Sequence, residues 1–184
     1  MSAPAPALGT RLSGYDDPTC LVVGVGNVGR EDDGLGWAFV DRLEETGACA
    51  RAEVVQRYQL LLEDADLFSR FERVLVVDAT RDAGVTAYGV QVPEPRLDVT
   101  FTSHAMSVPC VLATTATCFG RVPQVEVLAI RGYSWDLCTG LTDQAAANLD
   151  AALDALGCPP PGTGRPGRPG RTDRDVPALG ACGG

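Results

Sequence analysis

Apolar residues in this chain recur with two different periods, and the alternation between them lays out the elements. Residues 20–25, Cys-Leu-Val-Val-Gly-Val, form an apolar, β-branched run of the kind a strand buried on both faces carries. Trp37, Ala38, Val40 and Leu43 then return at helical spacing, and Gly47 stands where a left-handed glycine can end the helix. Residues 52–57 read as a second strand, and residues 60–71 as a second helix with Leu60, Leu61, Leu67 and Phe68 apolar. Val74, Leu75, Val76 and Val77 give a third strand that leaves Asp78 at its tip. A strand over residues 85–92 follows after only about six residues, too few for a parallel crossover, so it is expected to run antiparallel or at an edge. His104 opens a predicted helix through about residue 117. Residues 125–130 form the last strand, and Thr142 caps a final helix that runs to Leu156. The predicted fold is a three-layer α/β/α sandwich around a central mixed, mostly parallel twisted sheet of about five strands.

Composition adds boundaries to this pattern. Residues 1–17 are rich in Ala, Pro and Gly, lack the continuous apolar core of a signal peptide, and are read as a flexible N-terminal segment. The folded domain is expected over residues 18–158. From Pro159 to residue 184 the chain becomes rich in Pro, Gly and Arg, which cannot bury enough apolar area to offset ordering, so a disordered tail is expected. The net charge is −9, and the tail's four arginines face only two aspartates, so the remainder is more acidic still. Such a surface excludes nucleic acid and anionic membrane as partners and favours a cation, a small molecule or a protein. All fifteen basic residues are arginine, which removes mechanisms built on a Schiff-base or phosphate-loop lysine. Seven cysteines without a Cys-x-x-Cys pair suggest neither zinc knuckle nor disulfide framework, and reduced thiols in a cytoplasmic protein are the expectation. Cys110 and Cys118 do not stand at helical contact spacing from His104 and are read as buried small hydrophobes rather than nucleophiles.

Candidate chemistry gathers at the carboxyl ends of the strands, where open α/β sheets place their ligand sites. Asp33, Asp78 and the chain's single histidine, His104, are an imidazole and two carboxylates suited to nickel, zinc or iron, with coordination positions left open for water or substrate. Each has a bland alternative: Asp78 can cap the turn of Ala79 and Thr80, and His104 can occupy a helix's first turn and donate to a carbonyl. Asp32 is read as a supporting acid at the positive end of a helix dipole. Tyr133 and Trp135, after the last strand, either line a substrate groove or pack at the sheet end. Gly24, Gly26 and Gly29 also satisfy Gly-x-Gly-x-x-Gly after a strand, so dinucleotide binding must be weighed. Arg30, Glu31, Asp32 and Asp33 intervene before the apolar helical pattern, and three adjacent acids repel a pyrophosphate.

The stretch Gly24-Val25-Gly26-Asn27-Val28-Gly29-Arg30-Glu31-Asp32-Asp33-Gly34-Leu35-Gly36 resembles the hydrogenase maturation endopeptidases, whose first strand ends in Gly-x-Gly-Asn followed by an acidic pair and Gly-x-Gly. The resemblance runs from about Cys20 to Leu156. It takes in Asp78-Ala79, Ser103-His104, Arg131-Gly132 and Gly140-Leu141-Thr142 in the family's order. Gly29 stands where many members carry a bulky apolar residue, and Glu31 where a small one is frequent. The Gly-Gly-Thr turn of some members is replaced by residues 57–63, which look like the Gln-Leu-x-Pro-Glu version of another branch with Leu62 in place of proline.

The resemblance implies a cytoplasmic, monomeric hydrolase, a metal-dependent or aspartic-type endopeptidase. It implies removal of the C-terminal extension of a nickel-iron hydrogenase large-subunit precursor after nickel insertion. The family's three metal-contacting positions fall on Asp33, Asp78 and His104, which are thereby both catalytic and metal-binding candidates, with the nickel supplied by the substrate and no further cofactor. Asp33 or Asp78 is then the base that activates water. A competing reading is a nickel-binding maturation chaperone, which would carry metal and leave its partner's chain intact.

Overall fold

The computed structural model describes residues 11–97 and 106–160; His104 and the tail beyond Pro160 lie outside the described residues. In chain order the elements are β1 (Cys20–Val25), α1 (Leu35–Thr46), β2 (Glu53–Arg57), α2 (Asp64–Ser69), β3 (Arg73–Thr80), β4 (Tyr88–Gln91), α3 (Val108–Phe119), β5 (Gln124–Arg131) and α4 (Asp143–Leu156). The five strands form one sheet in the order β2-β1-β3-β5-β4. All pairs are parallel except β4 with β5, so the expected antiparallel edge strand is present.

Side chains alternate across the sheet and build two cores. Val22, Leu75, Val77, Leu128 and Ile130 face α1 and α4, where Phe39, Leu43, Leu149, Leu153 and Leu156 meet them. Leu21, Val23, Val25, Val74 and Val76 face the other way, onto Phe68 of α2 and Val111 and Leu112 of α3. Each fully buried aliphatic contributes about 1.5–3 kcal/mol, so the two faces are held independently of any ligand. Leu12 and Tyr15 are buried in the first core, which draws part of the segment read as flexible into the packed body. Among the described residues no helix is long and apolar enough to cross a membrane.

Several boundaries moved for identifiable reasons. The buried stripe of α1 is Leu35, Phe39, Val40, Leu43 and Thr46 rather than one centred on Trp37. Trp37 is half-buried because its indole N–H donates to the Arg57 carbonyl (3.0 Å) and its ring packs on Tyr58. The second helix is short because residues 60–63 take other partners: the Leu60 carbonyl accepts from Met106 N–H (2.9 Å), and Leu61 N–H donates to Asp64 Oδ2 (2.8 Å). The third helix begins at Ser107, not at His104, because the Ser107 hydroxyl accepts from Cys110 N–H and Pro109 fits the first turn. On that helix Cys110 is half-buried and Cys118 exposed, so neither is the core hydrophobe expected. The first helix ends as expected on Gly47 (φ 69°), and the last runs to Leu156 as expected and ends on Gly157 (φ 79°).

Candidate active site at the carboxyl end of the sheet

β1 stops at Val25 and makes its last parallel pair with β3 at Gly24 and Val77, while β3 runs on to Thr80 beside β5. Asp78 is therefore inside a strand rather than at its tip, but it lies beyond the reach of β1, and the edge so opened is where the chain returns. Between β1 and α1 that chain turns through a 3₁₀ segment, Glu31–Gly34. Gly26 permits the turn. Its φ is +140°, and a Cβ there would lie 1.8 Å from the Asp33 carbonyl oxygen, so only glycine allows the strand end and the returning turn to touch. Asn27 N–H donates to that same carbonyl (3.1 Å). At Gly36 a Cβ would lie 2.2 Å from the Val25 carbonyl oxygen, so α1 packs backbone against backbone on β1. These glycines serve contacts within the chain, and the gap a pyrophosphate would need beside Gly26 is filled by Asp33.

The turn brings Asp33 into the same cleft as Asp78. The cleft, about 370 Å³, is lined by Val25, Gly26, Tyr58, Gln59, Leu60, Val76, Met106, Ser107, Val108 and Val127 with the two aspartates. One wall, residues 58–60, is shaped by Asp64, a buried carboxylate that accepts from Arg57 Nε (3.1 Å) and Leu61 N–H (2.8 Å). The Leu60–Met106 hydrogen bond joins that wall to the start of α3. Asp64 and Tyr58 were not singled out from sequence, since their part is defined by contacts rather than by a motif.

The two aspartates differ from a simple turn cap. Asp78 Oδ1 does accept from Ala79 N–H (2.8 Å), so the capping alternative holds in part. Burial nevertheless pushes the carboxyl up, the Ala79 donor opposes this, and the charge of Asp33 adds to the rise, so the pKa is raised to about 7. Such a carboxyl is costly to ionise alone and gains from a cation in the cleft. The donor set fits a borderline divalent ion through hard carboxylate oxygens, with room in the cleft for further ligands. Among the described residues no three His, Cys, Asp or Glu side chains form a metal-holding group, so the two carboxylates make an incomplete site by themselves. The third expected member, His104, lies outside the described residues.

Asp32 has a different setting. It is fully buried, and its carboxylate accepts from Tyr133 N–H (2.7 Å), Ser134 N–H (3.0 Å), Thr142 N–H (2.7 Å) and Thr142 Oγ1 (2.9 Å). Burial pushes this group upward, but the backbone donors and the hydroxyl outweigh it and hold the pKa below the ordinary value. Asp32 therefore joins the turn to the loop of residues 132–141 and to the cap of α4, whose Thr142 hydroxyl also accepts from Ala145 N–H (3.2 Å). Trp135 sits under the Arg81 guanidinium (4.3 Å), which places it in packing at the sheet end rather than in the lining of the cleft.

No sequence-family model matches the chain, and no curated protein matches it in sequence. Solved structures do match its fold. The hydrogenase maturating endopeptidase HybD from E. coli superposes with a TM-score of 0.60 at 19% identity, over 74% of this chain and 88% of that one. The maturation protease HycI from Thermococcus kodakarensis gives 0.57 at 16%, over 76% and 92%. A hydrogenase 2 maturation peptidase from a Thaumarchaeota archaeon gives 0.54 at 23%, over 76% and 99%. The chain shares the α/β fold of these proteins across nearly their whole length.

Proposed function

We propose that this chain is an endopeptidase that removes the C-terminal extension of a nickel-iron hydrogenase large-subunit precursor once nickel has been inserted. The observation that carries the reading is Asp78, a half-buried carboxylate with one backbone donor, in the same cleft as Asp33. The fold shared with hydrogenase maturation proteases supports it. Nickel belongs to the substrate: Asp33, Asp78 and His104 complete the coordination of an ion the precursor already holds, so the peptidase reads metal loading directly. An ion in the cleft offsets the unfavourable charge of Asp78, so recognition favours the loaded precursor. Docking then sets the scissile carbonyl beside the aspartates, and one of them takes a proton from the attacking water. That water's oxygen adds to the carbonyl carbon, and the proton passes to the leaving amine as the C–N bond breaks.

The test is the intact mass of a cognate precursor, nickel-loaded and nickel-free, after incubation with the protein or with Asp78→Asn. Loss of a C-terminal peptide only from the loaded precursor, abolished by the substitution, is the expected result. An unchanged mass with nickel passed between intact chains would replace the peptidase reading with that of a carrier.

A further inference from the structure

The loop of residues 132–141 is tied to the β1–α1 turn along much of its length. Besides the bonds from Tyr133 and Ser134 to the Asp32 carboxylate, Asp32 N–H donates to the Ser134 carbonyl (3.2 Å) and Glu31 N–H to the Cys138 carbonyl (2.8 Å). The Arg30 guanidinium reaches the Trp135 carbonyl (3.4 Å), and Asp136 N–H reaches Glu31 Oε2 (3.4 Å). A Cβ on Gly132 would lie 2.8 Å from Asp32 Cβ, so the approach is as close as the backbone permits. Glu31 holds a left-handed φ of 47°, a conformation that costs a non-glycine residue energy and that these contacts maintain. Yet Leu137, within this fastened loop, is 89% exposed, and Tyr133 is 42% exposed.

A single exposed leucine is ordinary on a mobile loop. Here the backbone is already ordered, so an apolar partner surface meeting Leu137 incurs little further ordering cost. The loop lies on the same carboxyl edge of the sheet as the cleft, but across the turn from it, because Asp32 and Asp33 are consecutive and their carboxylates serve opposite sides. A partner reaching Asp33 through its metal and Leu137 through its surface must span the turn, which a folded domain does and a severed peptide does not.

We propose that the loop of residues 132–141 is the specificity-determining contact for the folded body of the substrate protein, with Leu137 touching that body and Asp32 as the residue that positions the loop. The proposal rests on the peptidase reading above for the identity of the partner. Its action is on encounter and affinity, while the aspartates of the cleft act on the bond.

The experiment measures the affinity of nickel-loaded precursor for the wild-type chain, Leu137→Asp, Asp32→Asn and a distant control, Val92→Asp, which is exposed at the other end of the sheet. Cleavage is followed by intact mass in parallel. Leu137→Asp should keep the wild-type melting temperature, since its side chain is exposed, and bind about tenfold or more weakly with KM raised and kcat within about twofold. Asp32→Asn should weaken binding in the same direction, and Val92→Asp should not. Affinity of Leu137→Asp within about twofold of wild type, or an equal loss in Val92→Asp, overturns the proposal. If the wild type binds precursor without cutting it, the peptidase reading falls while the affinities still decide the loop. If the wild type does not bind precursor, both fall.

Discussion

Asp32 offers the sharpest test of how this fold is held. Replacing it with alanine leaves three part-buried backbone N–H groups and the Thr142 hydroxyl without their acceptor. The hydroxyl can turn elsewhere, and each orphaned N–H costs about 1–3 kcal/mol if it stays dry, so the naive range for the three is about 3–9 kcal/mol. The loop can open and hydrate some of them, which places the expected loss at the lower end, about 3–4 kcal/mol. Asparagine keeps one acceptor oxygen but must turn its amide group toward at least one of those donors. It also exchanges charge-assisted bonds for neutral ones at about 1 kcal/mol each, so a loss near 3 kcal/mol is expected here too. In a chain of this size that corresponds to a fall in Tm of roughly 10 °C.

The pH dependence separates this account from a generic packing defect. The folded-state pKa of Asp32 is depressed below 3.8, so its contribution is present above the unfolded pKa and is lost as pH falls through the folded one. The stability gap between wild type and Asp32→Asn should be full near neutral pH and narrow below about pH 4. Urea titrations across that range measure it. A gap under about 1 kcal/mol near neutrality, or one that stays constant into acid, would refute the claim that these donors act on an ionised carboxylate.

Three further outcomes follow from the same geometry. Asp78 has a folded pKa of about 7 against 3.8, so the metal-free wild type loses stability as pH rises between those values. Asp78→Asn should therefore be more stable than wild type by about 2–4 kcal/mol above pH 7 and equal to it below about pH 4, while cleaving precursor at least about 100-fold more slowly; denaturant curves and mass spectrometry read the two effects. Gly26→Ala forces a Cβ onto the Asp33 carbonyl at a φ of +140°, and calorimetry should show a loss of about 3 kcal/mol or more. Asp64→Ala leaves Leu61 N–H and Arg57 without their partner, and hydrogen exchange should show residues 58–62 opening with a global loss of about 2 kcal/mol.

Strand identity was legible because it depends on local runs: four apolar residues before Asp78 and the six of β1 have no other stable use than a strand covered on both faces. The end of α1 was legible for the same reason, since Gly47 acts through its own backbone. What failed depended on distant partners. Residues 60–63 have helical spacing, but Asp64 and Met106 claim their backbone groups. The acidic cluster was visible, yet nothing near Asp32 in sequence says that its acceptors serve residues more than a hundred positions on. The Ser107 cap, by contrast, was readable as serine followed by proline in the first turn, and the histidine upstream drew the helix start away from it.

Asp32 and Asp78 carry the same carboxylate, the first fully buried and the second half-buried. What distinguishes them is the number of donors the fold supplies. Four hydrogen bonds make ionisation of Asp32 favourable, so its charge is already satisfied and no cation is needed there. One hydrogen bond leaves Asp78 with an unfavourable charge, and Asp33 in the same cleft makes it worse. Burial alone would have raised both pKa values. A divalent ion entering the cleft would supply Asp78 with the compensation that Asp32 receives from the loop. The saturated carboxylate holds the shape of the site, and the starved one is the group with free energy to gain from a cation in the cleft.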